Sequence, residues 1–208
     1  MSTFALVLYA VALVVIFGVR SLMQRRRTGS TGFRGMTGTP ADAGWWGGVL
    51  FVVAIVLGLL GPLLAVTGVV VAEPPVGVQV LGLVLALAGF IATLAGQTGM
   101  GSAWRIGVDP AERTTLVTTG LFGIVRNPVF NAMVAAQAGV VLIVPTWVSA
   151  TGLVALVVAV QLQVRFIEEP YLQAMHGAAY EHYAAAVGRF VPGVGRTHAR
   201  IPGATSSG

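Results

Sequence analysis

Two short stretches hold most of the side chains able to do chemistry in this otherwise apolar chain. GIVRNPVFNAM (123–133) sets Arg126, Asn127 and Pro128 at the threshold of an apolar run. EEPYLQAMHGAAYEHYAAAVGRFVP (168–192) opens on Glu168 and Glu169 and carries Tyr180 and Tyr183. A guanidinium orients an anion through paired hydrogen bonds. A carboxylate at the edge of an apolar segment accepts a proton or steadies a cation, and a tyrosine face also attracts a cation. Each residue has a structural use as well. Asn is a favoured N-cap, Pro a favoured first helical residue, and an Arg beside a membrane helix marks its cytoplasmic end. Glu168 and Glu169 oppose the dipole of any helix they end, close to the level where charge is costly to desolvate. Pro170 can open a new helix with Glu169 at its favourable end, and Arg165 stands three residues before Glu168, within pairing distance on a helix. Leu172, His176, Tyr180, Tyr183 and Val187 recur at three- and four-residue intervals, the pattern of one amphipathic, interfacial helix. His176 and His182 are expected to be packed or solvated on it rather than to bind a metal.

The elements that position these residues follow from composition. Hydrophobic residues make up 56% of the 208 and charged residues 9%, against roughly 25% charge in soluble domains. All 12 basic residues are Arg, without the aromatic interleaving that grips nucleic acid. There is no Cys, which excludes disulfides and thiolate chemistry, and three His near the C-terminus make no metal site. A bilayer core takes about 20 apolar residues as helix. Five such runs are predicted: Phe4–Val19, Trp45–Ala72 with Pro62 as a possible kink or end, Val76–Gln97, Pro128–Val144 and Trp147–Phe166. The first has no basic region before it and no small-residue cleavage site after it, so an anchor is expected rather than a leader. The last two form a hairpin around Pro145-Thr146. Arg20, Arg25, Arg26, Arg27 and Arg34 follow the first run. Arg105, Arg113 and Arg126 lie between the third and fourth, and Arg165, Arg189, Arg196 and Arg200 lie at or after the fifth. Alternation puts all of them on one side, so the N-terminus is expected outside and the C-terminus in the cytoplasm.

The fold expected is thus an all-α polytopic membrane protein with about five spans, a C-terminal helical hairpin and a cytoplasmic amphipathic helix. Its parts are a three-span region (1–97), a core of loop, hairpin and helix (98–192) and a disordered tail (193–208). Within the loop, Trp104-Arg105-Ile106 reads as an interface anchor and Asp109-Pro110 as a turn or helix start. Ser21–Gly44 reads as flexible and attracted to anionic lipid. The hairpin brings Arg126, Asn127, Glu168 and Glu169 to one cytoplasmic end.

Arg-Asn-Pro-x-Phe at a hairpin, a Glu-Glu pair, Leu-x-x-x-His-Gly-x-x-Tyr-x-x-Tyr and a final Arg-Phe-Val-Pro, in that order over residues 100–192, resemble the isoprenylcysteine carboxyl methyltransferase and phospholipid methyltransferase superfamily. Its pattern is Arg-His-Pro-x-Tyr, Glu-Glu and Leu-x-x-x-Phe-Gly-x-x-Tyr-x-x-Tyr. The resemblance implies an S-adenosylmethionine site at the cytoplasmic end of the hairpin. Arg126, Glu168 and Glu169 take the catalytic places; Asn127, Pro128, Phe130, Leu172, Gly177, Tyr180 and Tyr183 take the cofactor-binding ones. Asn127 stands for His, Phe130 for Tyr and His176 for Phe, so a proton-transferring imidazole is missing at 127. The implied reaction moves a methyl group to a lipophilic, membrane-resident acceptor: the carboxylate of a prenylated or lipid-like molecule, or a lipid amine. A carboxylate needs only a cation to orient it; an amine needs Glu168 or Glu169 as proton acceptor. The alternatives are an NADPH-dependent reductase of the sterol-reductase type and a non-catalytic membrane interaction protein. The Arg, Ala, Val and Gly bias suggests a GC-rich bacterium, and hence its inner membrane.

Overall fold

The computed structural model describes residues 1–32, 38–70, 73–101 and 115–197. Arg34, the Trp104–Ile106 anchor, Asp109-Pro110, Arg113, His198 and Arg200 lie outside the described residues. The protein is all-helical. The helices are α1 (Ser2–Thr28), α2 (Ala43–Val66), α3 (Val76–Gly99), α4 (Pro128–Ile143), α5 (Trp147–His176) and α6 (Ala178–Ala186). Among the described residues the only β-like pairing is an isolated parallel bridge between Val125 and Gly188. Among the described residues, four helices (α1, α2, α3 and α5) are long and apolar enough to cross a bilayer, which makes this an integral membrane protein. The predicted fourth span, α4, has 16 residues. At 1.5 Å per residue it is about 24 Å long, short of a full ~30 Å core.

Glycines decide which helices touch. On α3, Gly82, Gly89 and Gly96 recur every seven residues and face α4. A Cβ on Gly89 would stand 2.5 Å from Ala136 N and 2.7 Å from Ala132 O, and one on Gly82 would stand 2.7 Å from Gly139 O. On the other seam, a Cβ on Gly47 of α2 would stand 3.1 Å from Gln163 N of α5, and one on Gly152 of α5 would stand 3.2 Å from Gly58 N. Backbones approach this closely only where side chains are absent, and dispersion between them then holds the helices together in lipid. The predicted hairpin is present in connectivity, and Thr146 caps α5 by accepting from Ser149 N at 3.0 Å. Its two helices nevertheless pack chiefly on others, α4 on α3 and α5 on α2. Both seams join helices on either side of residue 98.

Several boundaries differ from the sequence expectation for identifiable reasons. Helix α1 continues past Val19 because Arg20 is buried rather than solvated: its Nη2 donates to Gln97 O at 2.7 Å, in the last turn of α3. Helix α2 passes through buried Pro62 and stops at Val66, where Gly68 adopts φ +74° and Val69 N donates to Leu64 O at 3.0 Å. Helix α5 does not end at Phe166. It runs on through a π-helical stretch, Val164–Glu168, and past Pro170 to His176. The amphipathic helix expected over 168–188 is therefore two pieces. Gly177, at φ +51°, ends α5, so Leu172 and His176 lie on one axis and Tyr180 and Tyr183 on another.

Candidate active site

Residues 125–131 and 188–190 are joined along their backbones. Arg126 N donates to Gly188 O at 2.8 Å and Asn127 N to Arg189 O at 3.2 Å. The residues just before a helix carry N–H groups with no helical acceptor, and a returning chain satisfies them here. Buried Pro128, the first residue of α4, has no such group to satisfy. Asn127 occupies the N-cap position but its side chain makes no cap; its Nδ2 donates to Arg189 O at 3.1 Å. Asn131, one turn into α4, donates from Nδ2 to Phe190 O at 2.5 Å.

This docking wraps the Arg126 guanidinium, whose side chain is 2% exposed. Nη1 donates to Ala184 O at 2.8 Å and to Val187 O at 3.4 Å, at the negative end of α6. Nη2 donates to Glu169 Oε1 at 2.7 Å and to Gly195 O at 3.0 Å. Among the described residues, buried Nε has no hydrogen-bond partner. Glu169 is shared: Arg189 donates from Nε to Oε1 at 2.8 Å and from Nη2 to Oε2 at 2.7 Å. One carboxylate thus sits between two guanidiniums, and the Glu169 bonds hold the Arg189 pKa above its ordinary value. Gly195, like Thr197, whose N donates to Ala184 O at 3.1 Å, belongs to the stretch expected to be disordered.

Tyr180 is buried beside this cluster. Burial raises its pKa, and the Glu169 charge adds to the rise. Burial pushes Tyr183 up to about 12, and its hydroxyl donates to Phe122 O at 2.7 Å. Both phenols are therefore neutral at physiological pH. Their rings stand edge to face at 6.2 Å. Glu168, half-buried, ends the π-helical stretch and lies within electrostatic reach of Tyr180. Single-turn π-helical stretches are frequent at functional sites, and α1 carries another at Val14–Val19.

The structure brings Arg126, Asn127, Glu168, Glu169, Tyr180 and Tyr183 to one end of the bundle. Other singled-out residues sit apart from that cluster. Phe130 packs on the core cluster of Ala54, Ala155, Leu156, Val160 and Val164. Gly177 is the break between helices, and half-buried Leu172 lies on the last turns of α5. Arg165 is exposed and donates to Gln161 Oε1 at 2.9 Å. Among the described residues, His176 keeps a buried Nε2 without a partner. Sequence reasoning gave no role to Arg189 or Asn131. The signal for Arg189 was present, since two adjacent carboxylates at an apolar boundary call for more than one cation.

The phospholipid methyltransferase family model matches residues 78–179, from α3 to the first turn of α6. No curated protein and no solved structure matches the chain.

Proposed function

Residues 78–179 belong to the phospholipid methyltransferase family, within the membrane methyltransferase group, and from that premise we propose that the protein moves a methyl group from S-adenosylmethionine to a lipophilic acceptor. The observation that carries the reading is the Arg126–Glu169–Arg189 cluster beside two neutral tyrosines, at the end where α4 begins and the π-helical stretch of α5 closes.

The cofactor carries a carboxylate, an ammonium and a sulfonium, and the residues present fit those groups. The orphaned Nε–H of Arg126 is a buried donor for a carboxylate. The Tyr180 and Tyr183 rings and the Glu168 carboxylate suit its cations. Asn127 and Pro128 border the same end; of the other positions in the family pattern, Phe130 packs in the core, and Leu172 and Gly177 lie where α5 gives way to α6, apart from the charged cluster. When bound, the cofactor supplies a methyl group on a good leaving group, so no general acid is needed.

The chain's own residues align the acceptor and exclude water. Arg126 and Glu169 act catalytically by fixing the field and shape of the site, since both Glu169 oxygens are taken up by three guanidinium bonds. Two guanidiniums against that one carboxylate favour an anionic nucleophile, so a carboxylate acceptor is preferred to an amine. An amine would leave its proton to Glu168. The clustering of Arg supports a cytoplasmic position for this end with the N-terminus outside, as in a bacterial inner membrane.

Calorimetric titration of detergent-purified protein with S-adenosylhomocysteine tests the reading, with NADPH in parallel and Glu168→Gln as control. Binding of the homocysteine form that weakens at least ~10-fold, about 1.4 kcal/mol, in the variant is expected. Binding of NADPH alone would make the protein a reductase. Binding of neither by a folded sample would leave a non-catalytic membrane protein.

A further inference from the structure

A carboxylate acceptor needs a cation that is still able to bind it, and the arginines near the candidate active site differ in what they have left to give. Arg126 has little. Its Nη1 donates to Ala184 O and Val187 O and its Nη2 to Glu169 Oε1 and Gly195 O, so every Nη hydrogen is in use, and its side chain is 2% exposed. Arg165 is exposed and donates to Gln161, one turn back on α5.

Arg189 is different. A guanidinium offers a carboxylate two edges, one made by Nε and one Nη, the other by both Nη groups. Glu169 occupies the first: Nε donates to Oε1 at 2.8 Å and Nη2 to Oε2 at 2.7 Å. The second edge, Nη1 with the remaining Nη2 hydrogen, has no partner among the described residues, and the side chain is 19% exposed. Glu169 therefore orients this guanidinium without using it up. The backbone is fixed as well. Arg189 N donates to Val194 O at 2.8 Å, and Arg189 O accepts from Asn127 N at 3.2 Å and from Asn127 Nδ2 at 3.1 Å. The open edge is thus held in place before any ligand arrives, within electrostatic reach of Tyr180. Two cations share one anion in the Arg126–Glu169–Arg189 cluster, so a second carboxylate there neutralises it.

We propose that the open Nη edge of Arg189 binds the carboxylate of the methyl acceptor and so sets the preference for an anionic substrate. The proposal rests on the methyltransferase reading. On transfer the carboxylate oxygen gains the methyl carbon, the carbon–sulfur electron pair stays with sulfur and no proton moves, so the acceptor becomes an uncharged ester. The edge that holds the substrate then has no charge to hold in the product.

The test uses the full chain in detergent and two probes, palmitic acid in its ionised form and methyl palmitate. Wild type should bind the acid at least about tenfold more tightly than the ester, the worth of a charge-assisted pair. Arg189→Gln removes the charge while Arg126 still holds Glu169, and should bind the two alike; Arg165→Ala should keep the preference. Equal binding by wild type, a preference that survives Arg189→Gln, or one lost in Arg165→Ala would overturn the proposal. S-adenosylhomocysteine, itself a carboxylate, is titrated on the same samples and should still bind Arg189→Gln. Should that variant lose it and keep the acid preference, Arg189 holds the cofactor's carboxylate and the proposal is wrong. If the variant binds nothing, a guanidine-modifying dicarbonyl applied to wild type decides. The acid should shield Arg189 from labelling and the ester should not; shielding by both or by neither would overturn the proposal. Wild type that binds no S-adenosylhomocysteine yet prefers the acid through Arg189 would end the methyltransferase reading and leave a fatty-anion site. Wild type that binds it without the preference would end only the Arg189 proposal.

Discussion

Helix α4 is held in two ways. Along its length it meets α3 backbone to backbone, through Gly82, Gly89 and Gly139. At its N-terminus it is held by charge, through Arg126, Glu169 and Arg189. The seam accepts no added atoms and responds little to pH, because nothing in its contacts ionises. The charged end accepts modest changes of volume but not loss of a partner, because a buried charge left alone costs more than the pair gained. Precision in this fold comes from packing in the membrane and from electrostatics outside it.

The largest expected effect breaks the charged end. Arg126→Ala leaves Glu169 with one cation and takes the arginine donor from the Val187 and Gly195 carbonyls, and should cost about 3–5 kcal/mol, read as a lowered unfolding midpoint in detergent. Restored stability in the Arg126→Ala, Glu169→Ala double variant would sharpen the point, since the cost would then belong to the orphaned carboxylate. Next is the seam. Gly89→Ala should cost about 1–3 kcal/mol, while Gly77→Ala, with nothing within 4 Å of its Cβ, should change little. Equal effects at the two glycines would mean that helix propensity rather than close approach sets the response. Thr146→Ala removes the cap of α5 and should cost about 1 kcal/mol in the same assay.

A smaller effect separates the regions by pH. Tyr183 has its pKa raised by burial to about 12, so the unfolded chain loses this proton at lower pH than the folded one. The stabilisation is complete below the ordinary phenol value near 10 and is lost as pH rises through about 12. One unit above the ordinary value, the loss is about half of the ~1.4 kcal/mol that a pH unit represents, because the ring is only partly buried. Alkaline unfolding of wild type and Tyr183→Phe measures it, and identical pH profiles would refute the assignment. Arg165→Ala, at an exposed Arg paired with Gln161, should shift stability by less than about 0.5 kcal/mol.

Much of this arrangement is legible in the sequence where a local signal suffices. Pro128 and Pro145-Thr146 mark the ends of α4, and the distribution of Arg and Glu brings Arg126 and Glu169 to one level. The unread parts depend on distant pairings. Glycine every seven residues at 82, 89 and 96 was the sign that α3, and not the hairpin partner, takes α4, but composition alone makes such glycines look like ordinary packing. Gly177 interrupts a face whose periodicity is perfect as a single helix, because a positive φ leaves no trace in spacing. The N-cap role of Asn127 was right in position and wrong in chemistry, since its amide answers a carbonyl 62 residues away. Arg189 gained its role from the same return of the chain.

The Val125–Gly188 bridge has a consequence for synthesis. The acceptors that enclose Arg126 (Ala184, Val187 and Gly195) emerge from the ribosome only after helices α1 to α5 have been made. The nascent protein can therefore settle into the bilayer with the Arg126 end still open, and the segment from Ala184 to Gly195 acts as the closing stitch. A chain cut before Gly188 should insert normally yet leave Arg126 open to a guanidine-modifying dicarbonyl, whereas the finished chain should protect it; equal labelling of the two would show that the enclosure forms without the last segment. The enclosure of Arg126 then follows insertion, and a copy interrupted before Gly188 has no closed charged end.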